Sequence, residues 1–317
     1  MGDLYITPEA SRAWDALGLH PPSVFSAENV WKPPKPTWTA AFDETAYAFD
    51  KSLTVHKSGH LAGSKSMASI WACMKQLTEP DATLTSFITN IPWKSIGLKI
   101  PPDLPVGRSA IMPDEKNMVT CANITPQYAF VDLHIDHGKH GLTTVIGIDG
   151  KAAVKLWALY PPTEKKFAVY KRCLGENDMF HKAQPELELG SFVLTTDDQA
   201  IYLPPGCLHS TLTLRGGLTP GIEFMSCECL DVAVRVWDIP VSHFTMKTSD
   251  HWPLMDAIRL TLLNPERSSL GLTVLCIRID KLKPGLTYRN RIRSLLVDLD
   301  IVCESCGQHS RDHRPKA

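Results

Sequence analysis

Between Tyr128 and Cys229 the chain breaks into short apolar runs, YAFVDLHID, TTVIGI, VKLWALY, SFVLTT, QAIYLP and GIEFMSCEC, rich in β-branched and aromatic residues. Runs of this length, bounded by turn residues, predict strands. Asp149-Gly150 between two of them is a hairpin signal. The stretch predicts about six strands with little helix except over 164–174, a pattern that suits a small barrel or jelly roll. On either side the period changes. Met67, Ile70, Trp71 and Met74 fall at helical spacing within Ser64–Leu77, and LMDAIRLTLL and RIRSLLVDLD place apolar residues three and four apart. Pro21, Pro22, Pro33, Pro34 and Pro36 disfavour helix over 20–40, which is expected to lie extended as a wrapping arm. Residues 80–112, with Pro101, Pro102 and Pro105, show no period. The expected fold class is α+β, a mainly β core with helical flanks. Its expected parts are an N-terminal wrapping arm with a helical and irregular flank (1–124), a β-barrel core (125–230) and a C-terminal helical region whose tail has metal-ligand residue types (231–317).

Length and charge narrow the function classes. A chain of 317 residues makes one large domain, or a domain with an appendage, since single cores stop growing near roughly 250–300 residues. Thirty-three Lys and Arg against 34 Asp and Glu leave a net charge of −1. No global field draws such a chain to nucleic acid or anionic lipid, so direct nucleic-acid binding is not expected. Nine cysteines form an odd, scattered set, unlike the disulfide framework of a small secreted domain. No basic segment leads into an apolar run, and no window approaches the roughly 18 apolar residues of a membrane span. The expectation is a cytoplasmic or nuclear protein, neither secreted nor membrane-bound.

The polar residues inside the predicted strands carry the chemistry. His134 and Asp136 lie two apart, and alternation on a strand would point both the same way. His209, in YLPPGCLHSTL, follows a Pro-Pro-Gly turn at the start of another strand and can supply a third donor. Two histidines and one carboxylate are the facial triad of non-haem Fe(II) oxygenases, which leaves open coordination positions. A buried Asp–His hydrogen bond is the plainer alternative for the first pair, and His137 and His140 are rival ligands. Lys155 stands in an otherwise apolar strand, where a buried lysine is rare unless paired. Inside a metal-binding barrel it would anchor a carboxylate co-substrate through a charge-assisted bond, with Trp157 on the same face as a wall. It can equally face solvent, and Arg215, six residues past His209, is the rival anchor.

Asp-Leu-His-Ile-Asp-His-Gly from Asp132, Lys-Leu-Trp-Ala-Leu-Tyr-Pro-Pro from Lys155, and Tyr-Leu-Pro-Pro-Gly-Cys-Leu-His-Ser from Tyr202 resemble, in order and spacing, a Jumonji-C (JmjC) domain. The similarity covers roughly 125–230, and the chain resembles small fungal members, in which a similar Gly-Leu-Thr-Thr or Gly-Leu-Ser-Thr follows the His-x-Asp. The resemblance implies a double-stranded β-helix of the cupin, jelly-roll type. It also implies Fe(II) held by His134, Asp136 and His209, with 2-oxoglutarate on Lys155. The reaction it implies uses O2, decarboxylates 2-oxoglutarate to succinate and hydroxylates a C–H bond of a protein or peptide. On an N-methyl lysine the same hydroxylation releases formaldehyde and demethylates. Thr144 matches a position where some relatives contact the co-substrate. Two departures stand out. The spacing from Asp136 to Lys155 is longer than in relatives, so an extended hairpin around Ile148–Lys151 takes up the excess, with Lys151 as the fallback anchor. Glu223 in GGLTPGIEF stands where one relative has a polar amide, an acid near an anionic co-substrate. Both leave open a catalytically silent cupin-type binding module; a small-molecule oxygenase of secondary metabolism is the third reading.

The flanks add weaker signals. Cys303, Cys306, His309 and His313 have ligand types that suit Zn(II), although their spacing is tighter than in the usual fingers. A half-site completed by another cysteine, or a polar tail with incidental Cys and His, fits the same residues. Cys227 and Cys229 read as core thiols. Lys165, Lys166, Lys171 and Arg172 in KKFAVYKR form either a solvated helix face or a docking surface for an acidic substrate. The flanks have room for a substrate groove or a homodimer interface.

Overall fold

Alternating burial along the central strands sets the architecture. The computed structural model describes residues 4, 6–32, 34–60, 63–93, 97–104, 119–136, 138–224 and 287–300, and single residues at 226, 229, 232, 259, 262, 263 and 309. These residues are mixed α+β, with antiparallel strands in two sheets. In chain order the strands begin with β1 (Ser23–Ser26), β2 (Val55–Lys57), β3 (Gly63–Ser64), β4 (Ser86–Pro92), β5 (Val119–Thr125), β6 (Phe130–His134) and β7 (His140–Thr144). They continue with β8 (Ile146–Gly147), β9 (Val154–Tyr160), β10 (Ser191–Thr196), β11 (Gln199–Leu203), β12 (Leu208–Arg215) and β13 (Gly217–Phe224). One sheet runs β1-β11-β7-β13-β5-β4-β2-β3, with β8 also on β13; the other runs β10-β9-β12-β6. From β5 onward the chain passes back and forth between the two sheets.

The larger sheet has one apolar face. Ala122, Ile124, Leu142, Ala200, Tyr202, Leu218 and Ile222 pack there with residues of α2 (Ala27–Val30) and α4 (Met67–Lys75). Ser66 caps α4 by accepting from the Ser69 amide at 3.1 Å, and Ile70 and Cys73 are its buried positions. The opposite parity of the sheet carries Ile201 and Leu203, which cluster with Trp157, Leu159 and Val193 of the four-stranded sheet. That second cluster also takes Trp14 of α1 (Pro8–Asp15), Phe167, Val169 and Tyr170 of α5 (Glu164–Cys173), capped by Thr163, and Met179 of α6 (Met179–Ala183). The faces that meet between the sheets are unusually hydroxylated for an interior. Thr125, Thr195, Thr211, Thr213 and Thr219 are all buried, and strand alternation places them with Lys155 and His209.

Several elements differ from the sequence expectation. The flank before 125 supplies β1 to β5, and β5 straddles the 124/125 boundary. The arm over 20–40 is only partly extended. β1 pairs antiparallel with β11, but α2 follows, and Thr37 caps α3 (Trp38–Tyr47) by accepting from the Ala40 amide. The prolines precede α3 rather than interrupt it. Eight strands lie within 128–229 because TTVIGI splits at Val145 into β7 and β8, and LHSTLTLR adds β12. Asp149 and Gly150 have φ of 48° and 76°, the left-handed pair of a tight hairpin, closed by the Ile148–Lys151 bridge. RIRSLLVDLD falls in α7 (Thr287–Leu299); of LMDAIRLTLL only 259, 262 and 263 are described, and they are helical. No described helix is long and apolar enough to cross a membrane.

Candidate metal centre

His134 ends β6 directly opposite His209 on β12. Between that pair and Thr211↔Val131 the register slips, a bulge in β6 that re-aims the side chains at the strand end. Asp136 lies just past the strand rather than on it. Its carbonyl accepts from the Lys139 amide at 2.8 Å, closing a turn through Gly138 at φ 76°. The three side chains nevertheless converge: one ligand atom from each of His134, Asp136 and His209 lies within 4.8 Å of the others. His209 Nε2 is 3.7 Å from Asp136 Oδ2, and His134 Nε2 is 4.0 Å from Asp136 Oδ1. This group can hold a metal ion, and its two nitrogens and one carboxylate are compatible with Fe(II).

Backbone carbonyls set both imidazoles. His134 Nδ1 lies 2.8 Å from the Asp132 carbonyl and His209 Nδ1 3.0 Å from that of Cys207. A carbonyl only accepts, so each Nδ1 donates a proton to it and each Nε2 is turned to the centre. Burial, with a smaller contribution from the neighbouring His134, brings the His209 pKa down to about 4, which keeps that ring neutral and ready to ligate. Asp132 is a residue that the sequence reading passed over. Its carboxylate accepts from the amides of Met179 and Phe180, each at 2.7 Å, at the start of α6, so one residue ties the helix to the strand while orienting His134. His209 is buried, whereas the side chains of His134 and Asp136 are 33% and 26% exposed; the centre opens to solvent on their side.

Lys155 lies on β9, on the face of Trp157 and Leu159, and is only 3% exposed. Its cross-strand neighbours are Thr195 and Thr213. No hydrogen bond or ion pair to its ammonium is found among the described residues, and burial pulls its pKa down to about 7. The Trp157 ring stands between it and the triad, 5.6 Å from Lys155 Nζ and 6.3 Å from the His209 ring. Trp157 Nε1 donates to Thr195 Oγ1 at 2.8 Å. Thr213 Oγ1 is buried without a partner. Two orphaned polar groups, an ammonium and a hydroxyl, thus sit side by side on one face.

The other sequence-selected residues go elsewhere. Arg215 is exposed and donates to the Ala152 carbonyl, and Lys151 is exposed at the hairpin tip, so Lys155 is the one buried member of the three anchor candidates. Thr144 donates to the Gln199 carbonyl at 2.8 Å and shares the parity of Leu142; Thr143 shares that of Gly141, where an added Cβ would lie 3.6 Å from Asp136 Oδ2. His140 is buried with Nδ1 at Tyr202 Oη and Nε2 at Ser226 Oγ, both 2.8 Å, leaving no nitrogen for a metal. Glu223 faces Lys139, with Oε2 2.8 Å from Nζ. The basic run on α5 is largely neutralised: Lys165 and Arg172 pair with Glu188 and Glu186, and Lys166 is buried. Cys229 is buried beside Ser226. His309 Nδ1 lies 2.9 Å from Asp300. His137, Cys227, Cys303, Cys306 and His313 lie outside the described residues. No protein-family model matches the chain, and no curated protein is similar to it.

Proposed function

We propose that this protein is an Fe(II)- and 2-oxoglutarate-dependent oxygenase of the JmjC type, built on a double-stranded β-helix. Its substrate would be a protein or peptide, hydroxylated at a C–H bond or demethylated at an N-methyl lysine through that hydroxylation. The passage of successive strands from β5 to β13 between two sheets supports this fold. The carrying observation is the joint placement of triad and buried cation: His134, Asp136 and His209 converge, and Lys155 stands one tryptophan away.

The residues present fit both groups. Two imidazoles with Nε2 turned inward and one carboxylate are the donors a non-haem iron takes. Lys155 and the orphaned Thr213 hydroxyl offer a charge and a hydrogen bond to a carboxylate that enters the interior. When bound, the iron supplies the activation of dioxygen coupled to oxidation of the ketoacid. The chain does the rest. The Asp132 and Cys207 carbonyls hold the imidazole tautomers, and Trp157 separates the anchor from the donors. The barrel walls exclude water from Lys155, while the exposed side of His134 and Asp136 leaves a path for substrate. The two features that favoured a silent module have physical accounts: Lys139 neutralises Glu223, and the Asp149-Gly150 hairpin takes up the longer spacing before Lys155.

The test is succinate formation from 2-oxoglutarate by protein reconstituted with Fe(II), alongside the His209→Ala variant. Turnover in the wild type that disappears in the variant is the expected result. Equal turnover in both, or no binding of Mn(II) and 2-oxoglutarate by the wild type in calorimetry, would overturn the proposal.

A further inference from the structure

The side chains that β10, β9 and β12 turn toward the interior form rows across the three strands. Thr195 and Thr213 both stand opposite Lys155, and Ser191 and His209 both stand opposite Leu159. Trp157, opposite Val193 and Thr211, fills the row between. Directly opposed residues share a face, with Cβ atoms about 4.5–5.5 Å apart, so a threonine flanks Lys155 on each side. Thr195, Lys155 and Thr213 are all buried. The two threonines differ in what they bond. Thr213 Oγ1 has no partner, whereas Thr195 Oγ1 accepts from Trp157 Nε1 at 2.8 Å. An indole N–H only donates, and a hydroxyl has one proton and two lone pairs, so this bond takes a lone pair of Thr195 and leaves its proton unspent. No acceptor for that proton is found among the described residues. The row thus presents three donors, two hydroxyls and an ammonium, with nothing to receive them. Buried donors without acceptors are costly. An ionised carboxylate accepts only, at about four lone-pair sites, and can satisfy all three.

Resting on the oxygenase reading, we infer that Thr195 is a third anchor for the distal carboxylate of 2-oxoglutarate, and that Trp157 is a positioning residue that acts through it. With the indole N–H on one side of the Thr195 oxygen, the hydroxyl proton is directed away from Trp157; without the indole the hydroxyl turns to suit any neighbour. The ring that stands between the anchor and the triad therefore also sets the polarity of one anchoring group.

The experiment titrates the full chain, loaded with Mn(II), with 2-oxoglutarate and with 2-oxopentanoate, which has the same carbon chain and a methyl in place of the distal carboxylate. Calorimetry reads the ratio of the two affinities. Thr195→Val removes one hydrogen bond to a charged group, so the ratio falls about tenfold or more, while 2-oxopentanoate binds as it does to the wild type. Thr195→Ser keeps the ratio. Trp157→Phe lowers it by a smaller factor, and Trp157→Phe combined with Thr195→Val gives the ratio of Thr195→Val alone, the non-additivity of two residues that act as one. The double variant leaves no indole N–H orphaned, so it carries the test where Thr195→Val by itself does not fold. An unchanged ratio in a Thr195→Val or double-variant protein that binds Mn(II), or equal weakening of both ketoacids, would refute the anchor and leave the oxygenase reading intact. Losses that add in the double variant refute the role of Trp157. A wild type that binds no 2-oxoglutarate would remove both the anchor and the oxygenase reading.

Discussion

Lys155→Met removes a cation whose burial the fold does not offset. With 3% of its surface exposed and, among the described residues, no hydrogen-bond or ion-pair partner besides the face of the Trp157 ring, Lys155 has its pKa drawn from 10.5 to about 7 by desolvation. At about 1.4 kcal/mol per unit, that shift amounts to roughly 5 kcal/mol against folding when the ammonium is charged in both states. Below pH 7 the whole penalty applies. Between pH 7 and 10.5 the folded protein carries the neutral amine while the unfolded chain still binds the proton, so stability rises with pH across that window. From about pH 6 to about pH 9 the rise from this group is roughly 2–3 kcal/mol. Methionine keeps most of the stem and drops the charge. The variant is therefore more stable than the wild type at about pH 6, by a few kcal/mol as an order of magnitude, and the gap narrows as pH increases. Urea unfolding of both proteins along this pH series measures it, and taking the difference cancels groups common to the two. With Mn(II) and 2-oxoglutarate at about a hundred times Kd, the wild type recovers about 2.7 kcal/mol, whereas the variant recovers much less. A variant less stable than the wild type at low pH, or parallel pH profiles, would show that the ammonium is compensated and that no anion is needed to balance it.

Thr213→Val replaces an orphaned hydroxyl by a methyl of the same shape; it is expected to stabilise the ligand-free protein by roughly 1–2 kcal/mol and to weaken 2-oxoglutarate about tenfold, read by denaturation and calorimetry respectively. Asp132→Ala frees two amides at the start of α6, costing about 1–3 kcal/mol in urea unfolding, and loosens the element that orients His134, so Mn(II) affinity drops by about tenfold; undiminished affinity would separate the two roles. Gly147→Ala drives a Cβ into the Lys151 carbonyl oxygen, which the hairpin escapes only by opening, at about 1–3 kcal/mol; an unchanged urea midpoint would contradict the close approach.

The triad was legible because its signals are local. His-x-Asp at a strand end and Pro-Pro-Gly before another strand each fit within a few residues, although the alternation argument misplaced Asp136, which converges through a bulge and a turn. Lys155 was legible as a charge in an apolar run. Thr213 could have been found from the same period that placed His209, since alternate residues of β12 share a face. The Lys139–Glu223 pair could not, because its partners come from distant parts of the chain and neither neighbourhood names the other. The same holds for β1 to β5, which the flank adds to the two ends of the larger sheet. β2 and β3 are too short to show a period, and β1 owes its extension to pairing with β11 as much as to the prolines around it. The basic run of α5 misled for a related reason: its acidic partners, Glu186 and Glu188, follow the next helix.

The order of strands also dictates when this molecule can come into being. β12 lies between β9 and β6, and β13 lies between β7 and β5, so the middle of each sheet is supplied by its last-synthesised described strand. A nascent chain that has emerged only as far as Cys207 holds β6 with neither its neighbour nor its second histidine, and leaves β9, β7 and β5 with raw edges. Pairing of such distant segments is slow. A metal ion held by all three residues could therefore bind only after β12 has emerged, and the interval before β13 closes is when the chain most needs protection from edge-to-edge association.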